Sequence, residues 1–261
     1  MKEWKVRPSD VLIAAPPKSG HTWLGEILRQ MRAHHPEATG SEATILIPYV
    51  ELNVPTPDTP SALECQDKMA SPRIIKTRLP YEFMKQKVEQ EGLKVVVLLR
   101  EPKDTLTSYY HHYCIEDIFN FPGDFHQFFE LVRQDRLLSG NIFKMSRDWW
   151  QAKDLPNVHV VKYEEMKKDT AEVVRRLAEF LEIPLKNKAV ESIVENCHID
   201  KMRKAMAEAI PDEPKLEEVA NKFFRKGVIG DWKNHLTKDE EDYVNECVRI
   251  YYDPVGLHFI V

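Results

Sequence analysis

Val95–Leu99 is a run of five consecutive apolar residues, closed by Lys94 on one side and Arg100 on the other. A strand with one wet face alternates apolar and polar residues, whereas a strand covered on both faces does not. The run therefore reads as a central strand of a parallel sheet with a layer on each side. Val11–Ala15 and Val158–Val161 have the same character, and Ile74–Ile75 opens a shorter strand. Helical spacing lies between and after them. Leu24, Ile27, Leu28 and Met31 share one face, as do Leu106, Tyr109, Tyr110 and Tyr113. Asp169-Thr-Ala-Glu172 starts like a capping box ahead of Val173, Val174, Leu177 and Leu181. Val190, Ile193, Val194 and Cys197 predict a further helix. Strands alternating with helices predict an α/β fold, a central parallel sheet flanked by helices on both faces. No repeat, low-complexity tract or linker interrupts the pattern, so residues 1–261 are read as one domain.

A chain of 261 residues can bury a sizeable core without staples. The formal net charge of −5 argues against a general nucleic-acid binder, which needs a basic surface. Cys65, Cys114, Cys197 and Cys247 are scattered, so neither a zinc site nor a disulfide framework is expected. The first residues carry no apolar leader, and no apolar run approaches the ~20 residues of a membrane span. The expected location is the cytoplasm, with no membrane partner. Residues 41–71 are rich in proline, with Pro72 just beyond, and read mostly as loop with a short helix. A loop of that length is either a wall of a binding site or a surface excursion.

Three stretches can hold an anion. In Pro17-Lys-Ser-Gly-His-Thr-Trp23 a strand hands over to a helix, whose first N–H groups and dipole favour negative charge. Gly20 lets a phosphate approach the backbone, Ser19 and Thr22 bring hydroxyls, and Lys18 brings a charge. The first glycine of a Walker loop is missing, which disfavours a Mg²⁺-dependent nucleotide kinase. The alternative is a plain turn. Arg100 stands at the carboxyl end of the central strand, where open α/β sheets bind ligands, and Ser108 follows eight residues on. Arg100 is suited to fork onto a phosphate, or else to cap the strand or pair with Asp104. In Phe223-Phe-Arg225-Lys-Gly227-Val-Ile-Gly-Asp-Trp-Lys233, two cations before a glycine make either an anion loop or a basic turn.

Taken in order, these stretches resemble the cytosolic sulfotransferase family over nearly the whole chain. That family transfers sulfuryl groups from 3′-phosphoadenosine 5′-phosphosulfate (PAPS) and releases 3′,5′-adenosine bisphosphate (PAP). The resemblance implies a P-loop-like nucleotide-binding fold and in-line transfer to a hydroxyl or amine of a small-molecule acceptor. Residues 17–23 look like the family's 5′-phosphosulfate loop, P-K-S-G-T-T-W. By that match Lys18 is the cation at the leaving phosphate. Ser19, Gly20, His21 and Thr22 hold the 5′-phosphate, and Trp23 stacks on adenine. Arg100 and Ser108 match the 3′-phosphate pair, and Arg225, Lys226 and Gly227 the second 3′-phosphate clamp. Tyr163, in Val160-Val-Lys-Tyr-Glu-Glu-Met166, matches a tyrosine that touches adenine. Lys18, Lys76, Arg78 and Ser108 make up the implied catalytic set, with no metal.

The chain also departs from the family. The family's histidine base lies in K-T-H-L-P; here the stretch is Lys76-Thr-Arg78-Leu-Pro80. An arginine stays protonated and is no general base. Four readings stay open. Another histidine (His21, His111 or His112) takes the proton, the acceptor is acidic enough to need little help, Arg78 binds an anionic acceptor, or the protein binds PAP and PAPS with little turnover. His21 replaces a threonine; it is expected to donate to phosphate and able to carry charge near pH 6.5. Lys238 replaces an apolar residue of the family's dimer motif, so a monomer or weak homodimer is expected. His198 falls where the family has an adenine-contacting loop, and is read instead as capping the end of the 190–197 helix. Phe119, Phe121, Phe125, Phe128 and Phe129 are read as helix core, with an acceptor pocket as the alternative.

Overall fold

A computed structural model describes residues 4–40, 47–51, 62–115, 121–209 and 216–259. Four strands in it form one parallel sheet: β1 (Val11–Ala14), β2 (Ile74–Thr77), β3 (Lys94–Leu99) and β4 (Val158–Lys162). Their order is β2-β1-β3-β4. The chain thus leaves β1 toward one side for β2 and returns to the other side for β3. The gap between the carboxyl ends of β1 and β3 is the topological switch point, the place where such sheets bind ligands.

The helices follow in chain order. α1 (His21–Arg32), α2 (Ala62–Lys68) and α3 (Tyr81–Glu89) precede β3, and α4 (Pro102–Ile115), α5 (Phe125–Arg133) and α6 (Ile142–Gln151) precede β4. α7 (Tyr163–Lys168), α8 (Thr170–Phe180), α9 (Asn187–Asn196), α10 (Ile199–Ala207) and α11 (Leu216–Phe223) come next. A 3₁₀ turn (Asp231–Asn234) and α12 (Lys238–Tyr251) follow.

β3 shows why its run carries no polar residue. Val95, Val97 and Leu99 enter one core with Leu106, Tyr109, Phe128 and Trp149, whereas Val96 and Leu98 enter a second core with Leu24, Ile27, Val174 and Leu177. Alternate residues face opposite layers, and both layers are dry. Each fully buried Val or Leu stabilises by roughly 1.5–3 kcal/mol. Phe125, Phe128 and Phe129 belong to the first core, as the core reading expects; Phe121 packs against it. Phe119 lies outside the described residues, as do 41–46 and 52–61 of the proline-rich segment.

Two features lie beyond local pattern. Arg73 and Asp10, both fully buried, form a two-pronged ion pair at 2.8 and 2.5 Å, joining the entries of β1 and β2. Removing one partner of such a pair costs about 3–5 kcal/mol. α8 begins where the sequence places it, with the Asp169 carboxylate accepting from the Glu172 N–H, but α7 fills the six residues before it.

Candidate active site

Each strand delivers one part of a common site at its carboxyl end. After β1 the chain turns through two prolines and reaches Lys18 at φ 63° and Gly20 at φ 111°. An L-residue is strained at Gly20's angle, and a Cβ there would stand 2.9 Å from the Tyr163 ring. No side chain caps α1 and its first turn holds no acidic residue, so its leading N–H groups face outward with the positive end of the helix dipole. Ser19 is fully buried, and its hydroxyl has no partner among the described residues.

Arg100, just past β3, lies over the Tyr163 ring at 4.3 Å. It donates to the Lys18 carbonyl (3.2 Å) and to the Val228 carbonyl (3.3 Å). It thereby links the 15–20 loop to the 225–230 loop, and its buried Nε has no partner among the described residues. It does not pair with Asp104. That carboxylate accepts instead from the backbone N–H of Gly230 (2.7 Å) and of Trp232 (3.1 Å), pinning the second loop to α4. Asp231 accepts from Arg225 (2.6 Å) and Lys226 (2.8 Å). Burial works against the Asp231 carboxylate, but the bonds from Lys226, Arg225 and Asn234 outweigh it and hold its pKa well below the usual range.

These parts surround a cavity of about 490 Å³. Lys18, Gly20, His21, Thr22 and Trp23 line it from the first loop and α1, Arg100 and Ser108 from β3 and α4, and Arg225, Lys226 and Gly227 from the second loop. Tyr163 meets Trp23 edge-on at 5.6 Å. Lys76 and Arg78 line it from the end of β2, both against Tyr49: their charges stand 4.3 and 4.5 Å from its ring centre, and Arg78 also donates to its hydroxyl at 2.6 Å. Glu51 accepts from the Arg78 N–H and the Thr77 hydroxyl. Burial, helped by Arg78, lowers the Lys76 pKa to about 8. Ser19, between Lys18 and Gly20, does not line the cavity.

Two histidines differ from expectation. His21 is buried with its Nε2 3.0 Å from the Ala15 carbonyl, which can only accept, so Nε2 carries the proton. Burial, then Lys76 and Arg78, push its pKa well below the ordinary value, so it does not become charged near pH 6.5. His198 does not cap the end of α9. It occupies the N-cap position of α10 without a capping side-chain bond, stands 3.5 Å from Asp200, and lines the cavity.

A cavity at the switch point of a parallel sheet, with two anion-ready loops and flat rings between them, fits a doubly phosphorylated nucleotide. The unpartnered Arg100 Nε and the uncapped first N–H groups of α1 fit the phosphates. The sulfotransferase domain model matches residues 8–253. The chain belongs to the sulfotransferase family. Sulfotransferase 1C2 of Rattus norvegicus is 29% identical, over 99% of this chain and 88% of that protein. Sulfotransferase 1E1 of Bos taurus is 31% identical, over 97% of this chain and 85% of that protein. The crystal structure of mouse sulfotransferase SULT7A1 complexed with PAP superposes with a TM-score of 0.78 at 26% identity, covering 97% of this chain and 88% of that one. This sulfotransferase transfers the sulfuryl group of PAPS to a small-molecule acceptor and leaves PAP. No helix among the described residues is long and apolar enough to cross a membrane.

Reading the sequence missed three partners of the site. Tyr49 sits in the proline-rich stretch, Phe223 opens the Arg-Lys-Gly segment, and Asp104 reads in the sequence only as a partner for Arg100. Phe223 carries the Lys18 ammonium 3.5 Å from its ring centre. Only the fold brings these residues to the loops.

Proposed function

We propose that the donor lies between the 15–20 loop with the start of α1 and the 225–230 loop, with each residue in the role its chemistry allows. The first N–H groups of α1, with Gly20 and Thr22, take the 5′-phosphate. Ser19, buried and off the cavity wall, packs inside that loop rather than on the phosphate. Arg100, Ser108, Arg225, Lys226 and the Gly227 backbone take the 3′-phosphate. Trp23 stacks on the adenine with its flat face, and Tyr163, edge-on to Trp23, touches it from the side. Lys18 sits where charge grows on the bridging oxygen as the S–O bond breaks, and a fixed cation there lowers the barrier. Lys76 and Arg78 bound the acceptor side.

The observation that carries this reading is the Arg100 bridge, 3.2 Å to the Lys18 carbonyl and 3.3 Å to the Val228 carbonyl, which closes both loops on one cavity. We read residues 1–261 as one domain, working in the cytoplasm as a monomer or weak homodimer, with Lys238 charging the motif that pairs family dimers.

The test is calorimetric titration with PAP and with adenosine 5′-phosphate. A hydrogen bond to a charged group contributes about 1.5–3 kcal/mol, so PAP is expected to bind at least about tenfold more tightly. Arg100→Ala is expected to close most of that gap. Equal affinity of the wild type for the two nucleotides would contradict the 3′-phosphate assignment.

A further inference from the structure

We propose that His112, on α4, is the proton acceptor for the sulfuryl transfer. The proposal rests on the donor placement above and goes beyond it by naming the group that meets the acceptor's proton.

Arg78 cannot take a proton, so where the acceptor needs a base, that base is another group on the cavity wall. Among the described residues, three histidines line the cavity: His21, His112 and His198. His21 begins α1, in the loop placed on the leaving phosphate. Its buried ring is committed through Nε2 to the Ala15 carbonyl, within its own loop. His198 stands at the start of α10, beside Ile199. The Ile199 side chain lies 3.1 Å from where a Cβ of Gly227 would be, which puts this turn at the 3′-phosphate end of the cavity. His111 turns away, its ring 5.3 Å from His235, and lines a separate open depression with Cys114 and Arg225.

His112 is placed differently. Its ring is buried, stacked at 6.2 Å on Tyr109 and edge-on at 6.3 Å to Phe223. Phe223 is the ring that carries the Lys18 ammonium. One phenyl ring thus touches both the cation set on the leaving group and the imidazole. The charged groups that act on His112 are Lys18, from the loop after β1, and Arg78, from the end of β2. Burial first, then these two cations, lower its pKa to about 3, so the imidazole is neutral and keeps a basic nitrogen. A polyanionic donor opposes that push by offsetting Lys18, which raises the basicity when the donor is in place.

The step balances. The acceptor oxygen gives a lone pair to sulfur. The S–O bond to the 5′-phosphate breaks, and its electron pair stays on PAP. The acceptor's proton passes to the ring nitrogen of His112 and leaves to solvent with the products. Lys76 is the competing group. It stands as a cation 4.3 Å from the Tyr49 ring centre, and with a pKa of about 8 it is largely protonated at neutral pH.

The experiment compares wild type, His112→Gln, His112→Phe and His111→Gln in single-turnover transfer from PAPS to a series of substituted phenols, with PAP affinity measured for each. If His112 is the base, both His112 variants bind PAP like the wild type and lose transfer by about 10²–10⁴-fold on weakly acidic phenols. The loss shrinks on nitrophenols, whose proton leaves without help, and His111→Gln keeps transfer. Three outcomes overturn the proposal. One is undiminished transfer in both His112 variants. Another is a loss of equal size across the phenol series. The third is a wild-type rate that climbs through pH 8 and is unchanged by His112→Gln, which would assign the proton to Lys76. Wild-type protein that fails to bind PAP would instead remove the donor placement itself. PAP binding also shows that each variant is folded.

Discussion

Lys18 holds its ammonium 3.5 Å from the centre of the Phe223 ring. An aromatic face fixes a cation without cancelling its charge, which suits the leaving-group role we propose for Lys18. Such a contact contributes about 0.5–2 kcal/mol. Phe223→Ala is therefore expected to slow transfer by roughly 2- to 30-fold, by the usual conversion of free energy to rate, and to leave PAP affinity nearly unchanged. Turnover rates beside PAP titrations check this. A loss of PAP binding equal to the loss of rate would place Phe223 on the nucleotide instead.

Gly20→Ala tests the loop geometry. The substitution demands φ near 111° from an L-residue and sets a methyl 2.9 Å from the Tyr163 ring. Alanine at a positive φ destabilises by more than about 1 kcal/mol, and here the ring must move as well. Thermal melting is expected to show the loss of stability, and titration a weakened PAP affinity, because the same ring holds the adenine in our reading.

Asp104→Ala tests the pin between α4 and the second loop. Gly230 and Trp232 would each lose the acceptor of a backbone N–H. A buried donor left without a partner costs about 1–3 kcal/mol. Chemical denaturation is expected to report a loss in that range or above, and PAP affinity should fall as Arg225 and Lys226 lose their placement. Asp104→Asn, which keeps one acceptor oxygen, should fall between.

Glu101 gives a pH signature. It is buried at the start of α4 and accepts from the Asp104 N–H, and burial raises its pKa from 4.5 to about 7. Between those values the folded protein binds more protons at this site than the unfolded chain does, so stability falls as pH rises from about 4.5 to 7. A shift of this size corresponds to a few kcal/mol, on the order of 3. Burial also raises the pKa of Glu164, which accepts from the Glu101 N–H, and adds a slope of the same sign. Glu101→Gln is expected to flatten the pH dependence of denaturation over that interval without removing it. An unchanged slope would show that Glu101 is ionised in the folded protein.

The strands were legible in the sequence because both cores need apolar residues at every position of Val95–Leu99. The turn from β1 into α1 was legible because Lys18, Gly20 and the start of α1 are neighbours along the chain. The partners that set this machinery were not. Asp10 meets Arg73, and Asp104 meets Gly230, across sequence separations of 63 and 126 residues. Neither pair leaves a periodic or local signal. The neutrality of His21 is illegible for the same reason: it comes from burial and from Lys76 and Arg78, which lie outside its own loop. His111 and His112 could not be told apart in the sequence, since only the packing of α4 sends one ring to the cavity and the other to His235.

The most direct test follows PAP and sulfated acceptor together, starting from PAPS with a panel of phenols, alcohols and amines, for wild type and Lys18→Ala. The account predicts equal amounts of the two products from the wild type. In Lys18→Ala it predicts a loss of about 10²–10³-fold in rate, the cost of removing one group that stabilises transition-state charge, with PAP affinity largely kept. Equal transfer rates in the two proteins would contradict it.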